Sequence, residues 1–569
     1  MGNVNSHHFD ALVIGSGISG GWAAKELCQQ GLKTLMLERG PNVVHRQDYP
    51  GEGKAPWEMH LRGKVASDLT THQYSIQKDC YAFNDATRQF FANDRDIPYS
   101  QSQDKPFSWI RGNQLGGRSL LWHRQSYRWS DLDFGANAKD GHGVDWPIRY
   151  KDIEPWYDHV ERFIGVSGQA ENLPQLPDGQ FQPPMEMNCV ETVMKGRIEK
   201  AFPGRIMTIG RTAHLTEPTQ EQKELGRQRC QSRNECQRGC SFGAYFSTQS
   251  ATLPAAQATG NLTVATDTIV HSVIYDARSN RATGVRVVDA VTKETSEYFG
   301  KVVFLCASTL GTTQVLLNSV SPDFPDGLAN TSGQVGRNLM DHCFQAGAKG
   351  RFPGMEDKYY RGRRPNGIYI PRFRNVTDQH PDFLRGYGYQ GGAARKGWKP
   401  MGEQAGFGTS FKNGLRQPGP WMMDLGGFGE MLPQENNTVK LNPELLDAWG
   451  MPTLHIDCAY GDNEKRMLKD MAETAAEMLE TTGVVDIETY NKDVPPGLCI
   501  HEMGTARMGK DPRSSVLNGN NQAHDISNLF ITDGSCMAST ACQNPSLTYM
   551  ALTARAAHYA VEQLKQGAI

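Results

Sequence analysis

Two short stretches hold residues whose types and spacing carry chemistry of their own. The first is Gly15-Ser16-Gly17-Ile18-Ser19-Gly20. It follows an apolar run of strand length, Phe9 to Ile14, and leads into Trp22 to Gln30, where Ala23, Ala24, Leu27 and Cys28 recur at helical spacing. A second apolar run, Thr34 to Leu37, ends at Glu38. Strand, glycine turn, helix, strand and acid, in this order, describe a nucleotide-binding unit. Gly15 allows the tight turn, Gly17 lets the backbone approach a pyrophosphate, and Gly20 lets helix and strand pack closely. The helix N-terminus offers unpaired N–H groups and a positive dipole end to phosphates. Glu38 lies 18 residues after Gly20, placed to accept hydrogen bonds from ribose hydroxyls. The bland alternative is a glycine turn in some other strand–helix–strand unit, and the motif alone does not separate FAD from NAD.

The second stretch is Arg229 to Thr248, with Cys230, Cys236 and Cys240 in the spacing C-x5-C-x3-C. Thiolates this close can share an iron–sulfur cluster, and three ligands suit a three-iron (3Fe-4S) cluster. Zinc normally takes four ligands, and the segment holds no fourth Cys or His. Plain thiols are the third reading, and a disulfide requires an oxidising compartment. Most of the other cysteines, Cys28, Cys306 and Cys343 among them, stand alone and read as small buried hydrophobes. A Gly-x-Ser-x-Gly pattern occurs at Gly17 to Gly21 and at Gly239 to Gly243. The first lies inside the nucleotide turn and the second has no strand before it, so neither makes a hydrolase elbow.

These residues need a large frame. With 569 residues the chain has room for two or three domains. Hydrophobic content of 38% and charged content of 21% are ordinary for a protein with a buried core. A net charge of −3 and the lack of a long basic run exclude nucleic acid as the expected partner. No stretch of about 18 apolar residues occurs, so no membrane span is expected. Met1 to Asp10 is polar and lacks the pattern of a signal peptide. Asn261 to Tyr298 alternates apolar and polar positions, predicting antiparallel strands with turns at Asp276–Asn280 and Thr292–Glu294. Lys301 to Ala307 predicts a buried strand, Thr312 to Leu317 the start of a helix, and Asn463 to Thr482 a strong helix. Asp341 to about Lys492 is rich in Gly, Pro and aromatics, as expected of a separate sheet-based domain. Its aromatic stretches Tyr387 to Trp398 and Trp421 to Phe428 are read as packing, with stacking on a sugar face as the alternative. Asn544-Pro545 predicts a helix start, with Asn as cap and Pro in the first turn. Such a helix can aim its positive end at an anionic flavin ring.

Taken in order, GSGISGG, GNQLGGRSLLWH, GNLTV, VVFLCASTLGTTQVLLNS, VGRNLMDH, HEMGTARMG and TDGS…NPSLTYMALTARA resemble the glucose–methanol–choline (GMC) oxidoreductases over nearly the whole chain. The resemblance implies an α/β, two-domain protein: a discontinuous Rossmann-type FAD-binding domain (1–340 and 501–569) and a sheet-based substrate-binding domain (341–500). It implies that Gly15, Gly17, Gly20 and Glu38 hold the ADP part of FAD. Asp533 and Gly534 match a second cofactor contact, and Val270 matches a backbone contact to adenine. Ser19, Gly117, Ser119 and Thr548 are further expected cofactor contacts. His501 and Asn544 match the catalytic pair. Neutral His501 would take the hydroxyl proton as general base, and Asn544 would orient the same oxygen while a hydride passes to flavin. In some sugar oxidases of the family a Ser-Thr-His-Trp segment carries a covalent flavin link. Here the matching residues are Ser119-Leu120-Leu121-Trp122, so FAD is expected to be non-covalent, with His123 in a pocket or packing role.

The branch most resembled is that of bacterial glucoside 3-dehydrogenase and the glucose or gluconate dehydrogenase large subunits. It implies a 3Fe-4S cluster on Cys230, Cys236 and Cys240, a sugar or glucoside substrate, oxidation at carbon 3, a small partner subunit and a cytochrome c acceptor. Oxidation at carbon 1 or 2, an oxygen-reducing oxidase, and a non-catalytic electron-shuttling flavoprotein are the alternatives. The compartment follows the partner: periplasmic if the small subunit carries an export signal, cytoplasmic if not.

Overall fold

The computed structural model describes residues 7–359, 364–397 and 406–569, and Trp398 falls outside them. Strand β1 (His8–Ile14), helix α1 (Ile18–Gln29) and strand β2 (Thr34–Leu37) form the opening unit. Helix α2 (Tyr150–Ile164), helix α3 (Cys189–Ala201) and the short strand β3 (Thr208–Ile209) follow. Then come β4 (Leu262–Ala265), β5 (Thr268–Asp276), β6 (Arg281–Asp289), β7 (Thr295–Leu305) and helix α4 (Thr309–Asn318). The middle of the chain supplies β8 (Cys343–Phe352), β9 (Ile368–Ile370), β10 (Tyr387–Arg395), β11 (Trp421–Gly429), β12 (Thr438–Leu446) and β13 (Pro452–Asp457). Helix α5 (Asp462–Thr481), β14 (Val485–Asn491), β15 (Leu529–Ile531) and helix α6 (Ser546–Gln566) complete it.

The first sheet has seven strands in the order β4-β2-β1-β7-β6-β5, with β15 pairing beside β7. β4, β2, β1, β7 and β15 are mutually parallel. β1, β2 and the buried end of β7 are continuous apolar runs because α1 and α6 cover one face while residues of the meander and α4 share the core on the other. The meander β5–β6–β7 is antiparallel, as the alternation predicts. Two details differ from expectation. The GNLTV strand joins β2 in parallel at the sheet edge rather than the meander. The predicted strand at 301–307 is the buried second half of the 11-residue β7, whose first half is half-exposed.

The second sheet has six antiparallel strands in the order β14-β8-β11-β10-β9-β3. In β11 the residues Trp421, Met423 and Leu425 are buried against α5 and α3, while Asp424, Gly426 and Phe428 point the other way. That other face looks onto the cavity described below. Tyr387, Tyr389 and Trp421 are fully buried, so the packing reading holds for them. Two stretches cross the domain ranges drawn from sequence. Helix α3 and strand β3 complete the second sheet's core, and Val439, Leu454, Ile456 and Cys458 share the core of the first. Strand pairing over such distances leaves no local trace in the sequence.

Candidate active site

A cavity of about 600 Å³ lies between the two sheets, with walls drawn from the glycine turn, the exposed face of the second sheet and the C-terminal loops. The glycines have separate duties. Gly15 sits at φ 92°, and a Cβ there would lie 2.4 Å from the Cys306 carbonyl oxygen. A Cβ on Gly20 would lie 1.9 Å from the Gly15 carbonyl oxygen, so helix and strand pack only with glycine. A Cβ on Gly17 would meet nothing within 4 Å: this is the open space at the start of α1. Glu38 is buried and accepts hydrogen bonds from the Ser16 N–H (3.2 Å), the Ser16 hydroxyl and the Gly40 N–H (2.9 Å). Burial pushes its carboxyl up, against these donors. An open glycine turn, a helix N-terminus and a cavity-wall acid form a cradle that fits the ADP part of FAD.

Ser19, Gly117, Ser119, Val270, Asp533 and Gly534 all stand in the cavity wall. Gly117 packs on Gly17, and the Ser119 hydroxyl donates to the Gly116 carbonyl at 2.6 Å. Asp533 accepts from the hydroxyls of Thr312 and Ser535, each at 2.5 Å. Thr548 is a correction. It is buried away from the cavity, its hydroxyl 2.8 Å from that of Tyr157 on α2, while Ser546 and Tyr549 take the wall positions. One helical turn offers the cavity only one side of α6, and Thr548 lies on the other. Leu121 is buried and cannot carry a covalent flavin link, and His123 sits in the cavity wall.

His501 and Asn544 meet in this cavity. Asn544 does not cap α6. Its Oδ1 accepts from Gln390 Nε2 at 2.6 Å, and its Nδ2 lies 3.3 Å from His501 Nε2. The side-chain amide is thus held by the second sheet and aimed at His501 Nε2. His501 Nδ1 lies 2.9 Å from His342 Nδ1, and His342 Nε2 lies 3.1 Å from the Thr540 carbonyl oxygen. These partners assign the protons. A carbonyl only accepts, so neutral His342 carries its proton on Nε2 and accepts at Nδ1. His501 must then hold its own proton on Nδ1, which leaves Nε2 unprotonated on the cavity side, where it accepts from the Asn544 amide. Burial first, then His342 and Arg118, hold His501 well below the ordinary histidine range. Burial also pushes His342 down to about 4. The pair is therefore neutral at neutral pH, as a proton acceptor requires.

Asp341 fixes the loop that carries His501. Its carboxylate accepts from the backbone N–H groups of Gly497 (2.7 Å), Cys499 (3.1 Å) and His501 (3.0 Å). Ile500 in this loop is held at φ 67°, a left-handed conformation that costs about 1–3 kcal/mol and that the clamp enforces. Asp341, His342 and Gln390 are the positioning residues that sequence reasoning did not name. VGRNLMDH contains the first two, and no local signal in the chain marks Gln390.

The models described as GMC oxidoreductase match residues 211–344 and 433–553. The chain belongs to the GMC oxidoreductases. It is an FAD-dependent enzyme acting on CH–OH groups. The 2-methyl-1,2-propanediol dehydrogenase of Mycolicibacterium austroafricanum is 28% identical, over 97% of this chain and 94% of that one. The fructose dehydrogenase large subunit of Gluconobacter japonicus is 26% identical, over 98% of both chains. Among solved structures, pyridoxine 4-oxidase from Mesorbium loti superposes with a TM-score of 0.61 at 17% identity, covering 97% of this chain and 99% of that one. This last match concerns the fold alone.

The three cysteines line a second, much smaller cavity, together with His214. His214 is the fourth donor that the local sequence lacks, with Nε2 3.5 Å from Cys236 Sγ. A single tetrahedral ion needs its donors to converge. Among the described residues, the group of three possible ligands within 4.8 Å of one another is His342, Cys499 and His501, not these cysteines. A multi-iron cluster spreads its ligands more widely. Glu52 clamps the cysteine loop, accepting from the Ser241 N–H at 2.9 Å and pairing with Arg233 at 2.5 Å.

Proposed function

We propose that this GMC oxidoreductase is a sugar dehydrogenase that oxidises a secondary hydroxyl, carbon 3 of a glucoside, to a keto sugar. The observation that carries the reading is the unprotonated Nε2 of His501, set beside the Asn544 amide in a cavity whose wall carries polar side chains. Gln390, Asp424 and Tyr490 stand in that wall, and the Tyr490 hydroxyl donates to Asp424 at 3.1 Å. A ring with several hydroxyls suits such partners. The hydroxyl to be oxidised donates its proton to His501 Nε2, and Asn544 Nδ2 donates to the same oxygen. As His501 becomes charged, its Nδ1–H keeps donating to His342, so the relay stabilises the cation without rearranging. FAD, held by Glu38, the glycine turn and Asp533, supplies the hydride acceptor. The α6 N-terminus, with Pro545 and Ser546 in the wall, adds a positive dipole end beside it.

The electron exit is a 3Fe-4S cluster on Cys230, Cys236 and Cys240, leading to a partner subunit and a cytochrome c. Supporting it, the cysteine cavity backs onto the turn at Gly117–Leu120: Tyr245 and Arg124 both donate to the Leu120 carbonyl, at 3.2 and 2.7 Å. The full-length likeness to a protein named a large subunit supports a multi-subunit assembly. If a partner carries an export signal, the enzyme works in the periplasm. The second reading is a small diol substrate, favoured by the propanediol dehydrogenase relative.

Anaerobic titration with glucosides, free glucose, fructose and 2-methyl-1,2-propanediol tests both readings. Bleaching of the flavin band by a glucoside, with a 3-keto product, is the expected result. Bleaching by the diol alone would replace the sugar reading.

A further inference from the structure

Two buried arginines flank the cysteine cavity, and neither meets a carboxylate among the described residues. Arg124 and Arg227 are each 1% exposed. Arg124 Nη2 donates to the carbonyls of Leu120 (2.7 Å) and Cys236 (3.2 Å), and its guanidinium lies 3.7 Å from the Tyr245 ring centre. Its Nε and Nη1 are buried without a partner. Arg227 donates only to the carbonyls of Gly243 (3.0 Å), Phe163 (3.2 Å) and Ile164 (2.8 Å). Elsewhere in the core Arg128, Arg211 and Arg385 are each paired with an aspartate or glutamate, while Arg372 and Arg507 also donate only to backbone carbonyls. Among the described arginines Arg124 stands apart in leaving both Nε and Nη1 buried without a partner. A buried guanidinium without an anion carries a large desolvation cost, so the pair around this cavity calls for a negative occupant.

The cysteines as plain thiols do not supply it. A protonated thiol carries no charge. A loaded site differs. Three ferric ions, four sulfides and three thiolates sum to two negative charges, and a one-electron reduction adds a third. Two cations face a dianion. Arg124 also lines the flavin cavity, so it stands between the two redox sites. Its backbone is held in the left-handed region at φ 62°, a strain that persists only when surrounding structure enforces it.

Resting on the cluster reading above, we propose that Arg124 and Arg227 are the fixed counter-charges of a dianionic three-iron cluster. Arg124 raises the reduction potential of that cluster and so draws electrons from the flavin side. Each step moves one electron from reduced flavin to the cluster. No bond to either arginine forms or breaks, and the added charge is met by charges already in place.

The test uses the purified holoenzyme, with iron and sulfide analysis and a redox titration followed by electron paramagnetic resonance. In R124Q the cluster is about tenfold harder to reduce, a fall of ~59 mV for one electron. R124K stays near wild type, and R227Q shifts in the same direction as R124Q. Loss of iron from R124Q with a loaded R124K also supports the counter-charge role. Loss of iron from both Arg124 variants marks a structural residue and overturns the proposal. Unchanged potentials in loaded R124Q and R227Q overturn it as well, leaving the cluster reading intact. Wild-type enzyme without iron overturns the cluster reading and this proposal together.

Discussion

The His501 loop and the cysteine loop are each held by one carboxylate, and the two clamps work in opposite electrostatic settings. Asp341 is fully buried and faces three backbone N–H groups, and burial with the nearby Glu502 pushes it up to about 7. Glu52 is more exposed, and Arg233 and the Ser241 donors hold it below the usual carboxylate range despite some burial. The first clamp fixes an uncharged relay, where a neutral base must be delivered with a defined tautomer. The second fixes the pocket for which an anionic occupant is proposed above. On the proposed reading the two sites divide the chemistry: protons are managed in one, electron charge in the other.

Removing the base breaks the first half of the comparison most severely. His501→Ala lowers kcat/KM by about 10²–10⁴, the usual contribution of a general base, with FAD content unchanged. A fall under tenfold in steady-state assays would show that another group takes the proton. His342→Leu removes the acceptor of the His501 Nδ1–H. A hydrogen bond to a charged partner contributes about 1.5–3 kcal/mol, so kcat falls roughly 10- to 100-fold. An unchanged kcat would mean that the relay does not hold the imidazolium. Cys236→Ser sharpens the division of labour. It is expected to lose iron and turnover with a one-electron acceptor, while the single-turnover rate of flavin bleaching by sugar stays at the wild-type value. Slower bleaching in stopped flow would couple the two sites chemically.

Weaker effects are read from pH. Because the pKa of His501 lies well below the ordinary 6.5, it stays unprotonated as pH falls through that value. The kcat/KM profile is therefore flat across pH 6.5, and a break there in initial-rate data would contradict the buried, neutral pair. The clamps give the smallest and most diagnostic signal. The carboxyl of Asp341 is raised from 3.8 to about 7, so the folded state binds more protons than the unfolded state in that window. Its contribution to stability therefore declines as pH rises from about 4 to about 7. The carboxyl of Glu52 is lowered, so its contribution is present above the ordinary 4.5 and is lost as pH falls below it. Melting curves should show Asp341→Asn flattening the first slope and Glu52→Gln the second. Identical pH dependence in the two variants would erase the contrast.

Much of the nucleotide-binding half was legible because its signals are local. Gly15, Gly17 and Gly20 meet steric demands set within a few residues, and apolar runs such as Ala11–Ile14 mark strands covered on both faces. His501 and Asn544 were legible only through their motifs, since a histidine in a loop has no local mark of catalysis. Thr548 was misplaced because spacing along a helix does not say which side faces a cavity.

The amino-acid sequence by itself determined the glycine turn, the acid that follows it, the three-cysteine spacing and the family's order of motifs. These are short-range properties of backbone sterics and residue chemistry. Only the tertiary structure decided which groups act on them. It set His342 against His501 across 159 positions, Gln390 against Asn544 across 154, and Arg124 against the Cys236 carbonyl across 112. Such pairs arise from the docking of two sheets and the loops between them. No periodicity or spacing in the chain encodes that docking in a form that can be read one segment at a time.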